Sequence, residues 1–256
     1  MGAIVRRENT MRATEKAVAI MIVALSVWAI LMRVTTHFEG PGANRIMRVE
    51  LGSDAASVNQ AVRGNGPHDT EGVTHNIQMV VRNTYMDFVF ILLYWLTFLS
   101  LAFLAGRMGR RFLAICAGLC ISVAALSDLF ENGAILTAMR VKAFTDPLAV
   151  DISEFSQWKW AFFFLASLFL GLAIAVNQRV SIMRRASGGI FIAAGLVGIL
   201  GITRYRVSLE FAIWLINLAS LLFAAALLLT LWKLYLSINE LNHVERVNHM
   251  HVHSHA

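Results

Sequence analysis

The sequence predicts an all-α protein: a polytopic transmembrane helix bundle of about six spans with a small, partly helical extracytoplasmic cap. Three observations lead there. Hydrophobic residues make up 57% of the chain, charged residues only 15%, and mean hydropathy is +0.63, far from the balance of a soluble domain. The excess gathers into six apolar runs, near 17–32, 86–105, 112–138, 159–176, 188–203 and 211–232, each close to the ~20 residues that cross a hydrocarbon core. Only three prolines interrupt the chain, and a run of this length in lipid is a helix, because its backbone groups have no water to bond.

Residues 1–16 carry Arg6, Arg7, Arg12 and Lys16 against Glu8 and Glu15. The run that follows lacks a small-residue cleavage site and leaves through Leu31-Met32-Arg33. An uncleaved first span is therefore expected. Residues 33–85 form the long polar segment, read as the cap. Phe38-Glu39-Gly40-Pro41-Gly42 breaks the chain, and Ser53 and Asp54 are placed to cap a short helix through about Val62. Val73, Ile77, Val80 and Val81 recur at helical spacing and run into the second span without a breaker. One long helix projecting past the membrane is expected there.

The second span holds Asp87 at its start and Tyr94 two turns on, and ends in the basic turn Gly106-Arg107-Met108-Gly109-Arg110-Arg111. The third span contains Ser127-Asp128-Leu129-Phe130-Glu131-Asn132-Gly133. Asp128, Glu131 and Asn132, at i, i+3 and i+4, project from one helix face. An ionised group at mid-bilayer costs roughly 2.5–3.5 kcal/mol on insertion scales, so such residues normally find partners or water. Ala117, Cys120, Ala124 and Ala125 continue the same face; being small, they let other helices approach, so this face should point into the bundle. Residues 140–158 read as a mixed loop, and Trp158-Lys159-Trp160 opens the fourth span with a lysine between rings suited to the membrane interface. Asn177–Ser187 reads as a second basic turn. The fifth span is rich in glycine, and Ala194 with Gly198 forms a small-xxx-small pair that suits close packing. Arg204, Arg206 and Glu210 crowd the turn to the sixth span.

The basic residues suggest an orientation. With the N-terminus inside, the short inner segments hold twelve of the 22 lysines and arginines, while five of the other ten are diluted in the long 33–85 segment. Both termini are then cytoplasmic, in a cell inner membrane. The net charge of +6 becomes a topology signal, and nucleic acid is not expected as a partner. In this orientation Asp128, sixteen residues past Phe112, lies about 24 Å up its helix, in the outer third of the bilayer. Asp87, Lys159, Arg204, Arg206 and Glu210 lie at the outer ends of their runs. Lys159 is expected to pair with Asp128 or Glu131 rather than to snorkel to the surface.

The succession Asp87…Tyr94, Asp128-x-x-Glu131-Asn132, Lys159 resembles a pattern of uncharacterised bacterial multi-span membrane proteins with an intramembrane Asp-x-x-Glu-Asn motif. The resemblance covers about residues 45–176. It implies that these positions form one unit and implies no activity.

Absences narrow the function. All eight histidines lie outside the runs, which argues against a membrane haem and against histidine-box di-iron chemistry. His-Glu-x-x-His, Gly-x-Ser-x-Gly and Walker A motifs are lacking. Cys116 and Cys120, one turn apart, read as small buried residues. His249, His251, His253 and His255 form a His-rich cytoplasmic tail over 239–256, compositionally metal-binding but read as a disordered segment without preformed geometry. His68, Asp69, Glu71 and His75 are a weaker cluster, read as solvated loop.

No cofactor is implied. Asp87, Tyr94, Asp128, Glu131, Asn132 and Lys159 are the candidate ligand-binding residues, and a carboxylate metal site of Asp87, Asp128 and Glu131 is a lesser alternative. The expected function is non-catalytic binding or transport of a small molecule or lipid through this outer-leaflet cluster. Membrane lipids and a homo-oligomer or larger membrane complex are the partners that suit it. Two alternatives remain: an accessory subunit with a structural ion-pair network, and a membrane enzyme using Asp128 or Glu131 as general base on a lipid headgroup.

Overall fold

The structure is a computed structural model that describes residues 2–35, 45–52, 54–63, 70–140, 144–176, 181–205 and 207–253. It is an all-α polytopic bundle. Eight helices follow one another: α1 Gly2–Thr35, α2 Arg45–Leu51, α3 Ala55–Arg63, α4 Thr70–Arg107, α5 Arg111–Arg140, α6 Asp146–Ala175, α7 Ile182–Arg204 and α8 Leu209–His253. Six segments are long and apolar enough to cross a membrane: Ala13–Thr35, Ile77–Arg107, Arg111–Arg140, Asp146–Ala175, Ile182–Arg204 and Leu209–Asn239. The long helices form a ring, α4 to α8 each packed on the next, with α1 closing it between α4 and α8.

Local chemistry sets the helix ends. Gly109, at φ +98°, takes the left-handed conformation that ends α4 and lets the chain reverse within a few residues. Asp54 caps α3 by accepting the Ser57 N–H at 2.7 Å. The Ala55 N–H is taken by Asp146 Oδ1 at 3.0 Å, so the first residue of α6 also serves α3. The expected continuous helix into the second span is present as α4, 38 residues, or about 57 Å at 1.5 Å per residue. It outreaches a bilayer core.

Three readings need correction. Residues 146–158 are the first turns of α6, with Pro147 in its opening turn, a position where the missing N–H costs nothing. The acids there suggested a loop, yet Asp146 lies where a helix N-terminus favours negative charge, and Ala149 and Ile152 pack with Val58, Ile135 and Ala138. Lys159 is thus well inside the fourth span, as Asp87 is inside the second. The basic turn before the fifth span is shorter, since Ile182–Ser187 already belongs to α7. The backbone of 239–253 continues α8 as helix. The side chains of His249, His251 and His253 lie outside the described residues, as do His255, His68, Asp69 and the side chains of Glu71 and His75.

The bundle centre is aromatic. Phe98 of α4 stacks on Phe223 of α8 at 5.2 Å, and Phe163 of α6 meets both edge-on. Towards α2 and α3 this floor gives way to polar side chains; at the far end Glu15, only 5% exposed, accepts from Arg184 at 3.1 Å. Glycines bring α6 and α7 together. A Cβ on Gly188 would lie 2.8 Å from the Ala175 nitrogen and 2.9 Å from the Gly171 carbonyl oxygen. Gly198, the expected contact, lies under the Phe164 ring rather than against backbone.

Candidate functional site

Three helices of the ring and the short helix α2 converge on one lysine. Lys159 of α6 is 6% exposed, and its ammonium lies 2.7 Å from Glu131 Oε2, 3.2 Å from Asp128 Oδ1 and 3.3 Å from Glu50 Oε2. The Trp160 ring lies beside it, its centroid 5.3 Å from the Lys159 nitrogen. Asp128 and Glu131 are one turn apart on the inward face of α5, so helical geometry alone aims both at α6. Ala117 and Ala124 below them are fully buried and allow that close approach.

Further hydrogen bonds hold the acids in place. Tyr94 of α4 donates to Asp128 Oδ2 at 3.1 Å, and the Asn132 amide donates to Asp87 Oδ2 at 2.9 Å. The Trp160 indole N–H donates to Glu50 Oε2 at 3.2 Å. Of the six residues singled out from sequence, Tyr94, Asp128, Glu131 and Lys159 are thus joined, and Asp87 and Asn132 form a pair beside them, Asn132 next to Glu131 on α5. Arg204 makes no bond to it among the described residues, Arg206 lies outside them, and Glu210 pairs instead with Arg48 at 2.6 Å on an exposed surface. That pair ties α2 to the start of α8.

Glu50 and Trp160 are the members that sequence reasoning missed as site residues. Glu50 stands in a short helix that the polar composition of 33–85 concealed. Its neighbour Leu51, 1% exposed, packs with Phe164, Ile213 and Ile216, so α2 is pressed into the mouth of the bundle and roofs the cluster. A signal existed: Ile46, Met47, Val49 and Leu51 give Arg45–Leu51 more apolar residues than a solvated loop needs. Burial holds the Glu50 carboxyl above its ordinary range; the Lys159 ammonium opposes this, the Asp128 carboxylate adds to it and the Trp160 N–H opposes it.

Charge and hydrogen bonding are both unbalanced. Three carboxyl groups, Glu50, Asp128 and Glu131, share one ammonium, and the Asp87 carboxyl close by is held by the Asn132 amide. Asp128 Oδ1 and Glu131 Oε2 meet Lys159 as ion pairs without hydrogen-bond angles, while Glu131 Oε1 and the buried Ser156 hydroxyl, one turn before Lys159, have no partner among the described residues. Buried polar atoms are seldom left so. Lys159 fills the position that a cation would take between Asp128 and Glu131, and among the described residues no three His, Cys, Asp or Glu are arranged to hold a metal.

A groove of about 620 Å³ opens nearby between α6 and α7. None of the six candidate residues lines it. No protein-family model, curated protein or solved structure matches this chain.

Proposed function

We propose that the chain is a bacterial inner-membrane protein that binds or transports a small molecule or lipid, and that the cluster under α2 exchanges a proton as it does so. The single observation that carries this reading is the imbalance around Lys159: three carboxyls on one ammonium, a fourth carboxyl close by on Asn132, and a Glu131 oxygen without a partner among the described residues. Several uncompensated anions in a low-dielectric site are costly, and bound protons are the smallest remedy. Glu50 links the network to α2, the one contributor outside the spans.

Full burial of Lys159 among its acids supports a second reading, in which the network only holds the bundle together within a membrane complex. Infrared spectroscopy of the reconstituted protein separates the two. Proton exchange predicts a protonated-carboxyl band that weakens as pH rises and is reduced in Glu50→Gln. The sign follows from the raised Glu50: its neutral form is favoured in the fold, so the stabilisation it gives is present at low pH and lost as pH rises through its folded value. A band that is absent, or constant over the whole pH range in which the protein stays folded, contradicts proton exchange and favours the structural reading.

The distribution of basic residues supports placing both termini in the cytoplasm and α2 and α3 outside. A cysteine at exposed Ala56 should then react with a membrane-impermeant thiol reagent in intact cells, and one at exposed Ser181 should not. The reverse labelling inverts the orientation.

A further inference from the structure

The groove between α6 and α7 carries its own chemistry. Tyr205, at the C-cap of α7, and Glu154 and Trp158, one turn apart on the outer face of α6, line it together with apolar Val150, Ala161 and Ile202. Trp158 is 57% exposed yet held in place by stacking on Phe162, 5.6 Å away with rings inclined at 14°. The groove thus offers a carboxylate and two aromatic rings beside apolar wall. Among the described residues neither lysine nor arginine lines it. A carboxylate beside aromatic faces recognises an ammonium group, and the apolar wall suits an acyl chain.

We propose that this groove binds the ammonium headgroup of a membrane lipid, with Glu154 taking the charge, Trp158 and Tyr205 flanking it, and the acyl chain passing Ala161 and Ile202. The proposal deepens the lipid-binding reading above and rests on its membrane placement, but not on proton exchange by the cluster. An unchanged infrared band therefore leaves it standing, and the lipid experiment leaves the cluster untouched.

The test is native mass spectrometry of the full chain with phosphatidylethanolamine and phosphatidylglycerol of matched chains. Phosphatidylethanolamine should be retained more strongly, by roughly three- to thirtyfold for one desolvated cation–π and charge contact. Glu154→Gln and Trp158→Ala should each erase the preference with Tm unchanged, because both side chains are exposed. Should Trp158→Ala unfold the protein, the conservative Glu154→Gln decides alone. Equal retention of the two lipids, a preference for phosphatidylglycerol, or a preference that survives Glu154→Gln overturns the proposal. So does displacement of the lipid by free ethanolamine at matched concentration, which would make the ligand a soluble amine.

Discussion

Replacing Lys159 by Met should lower the unfolding free energy by about 3–5 kcal/mol, the usual cost of removing one partner from a buried ion pair. The figure is large because the ammonium is the shared counter-charge of Glu131, Asp128 and Glu50, at 2.7, 3.2 and 3.3 Å. A thermal or denaturant melt in one detergent checks it. The loss should shrink as pH falls, since acids that have taken up protons no longer need the lysine. One compensating change is not enough. Glu131→Gln in the Lys159→Met background leaves Asp128 and Glu50 still orphaned, so it should restore only part of the loss. A small effect of Lys159→Met at every pH would mean that the side chain reaches water past Trp158.

Gly188→Ala should cost about 1–3 kcal/mol, with Gly189→Ala next to it near neutral. The added Cβ at 188 meets backbone atoms of Ala175 and Gly171 within 3 Å, whereas at 189 nothing lies within 4 Å. Backbone cannot rotate away as a side chain can, so α6 and α7 must part. That separation would disturb Phe164, which packs across the α6–α7 contact with Gly198. Gly198→Leu is expected to be damaging as well, through the ring rather than through backbone. Melts of the 188 and 189 variants in the same detergent decide the matter, and equal values would mean that the two helices do not touch as described.

The parts of this molecule that depend on one helix at a time were legible in its sequence. Apolar run length gave six spans, and the spacing of Asp128, Glu131 and Asn132 gave a buried polar face on α5. Small residues beneath that face showed which way it points. Lys159 was legible as a partner because the acids needed a cation and Lys159 opens the fourth run at about their depth. What was lost depends on pairing between distant segments. Glu50 reaches the cluster only because Leu51 and Val49 sink α2 into the bundle mouth, a tertiary event with a weak local signature of seven residues. The charged start of α6 was hidden for a related reason. Asp146, Asp151 and Glu154 read as loop in a hydropathy window, yet helix α3 packing on Ala149 and Ile152 stabilises the turns they belong to. Gly188 and Gly198 were both visible as small residues, but which one touches backbone is set by the crossing of α6 and α7.

The central claim is that Glu50, Asp128 and Glu131 act on Lys159 as one charge-sharing unit. The direct measurement is the stability change of Lys159→Met in two backgrounds: wild type, and a Glu50→Gln, Asp128→Asn, Glu131→Gln triple variant. In wild type the substitution should destabilise by about 3–5 kcal/mol. In the triple variant its sign should reverse or vanish, because there the lysine is the orphaned charge and Met removes it. The same destabilisation in both backgrounds is strict additivity; it would contradict the account and show that these carboxylates do not hold the ammonium.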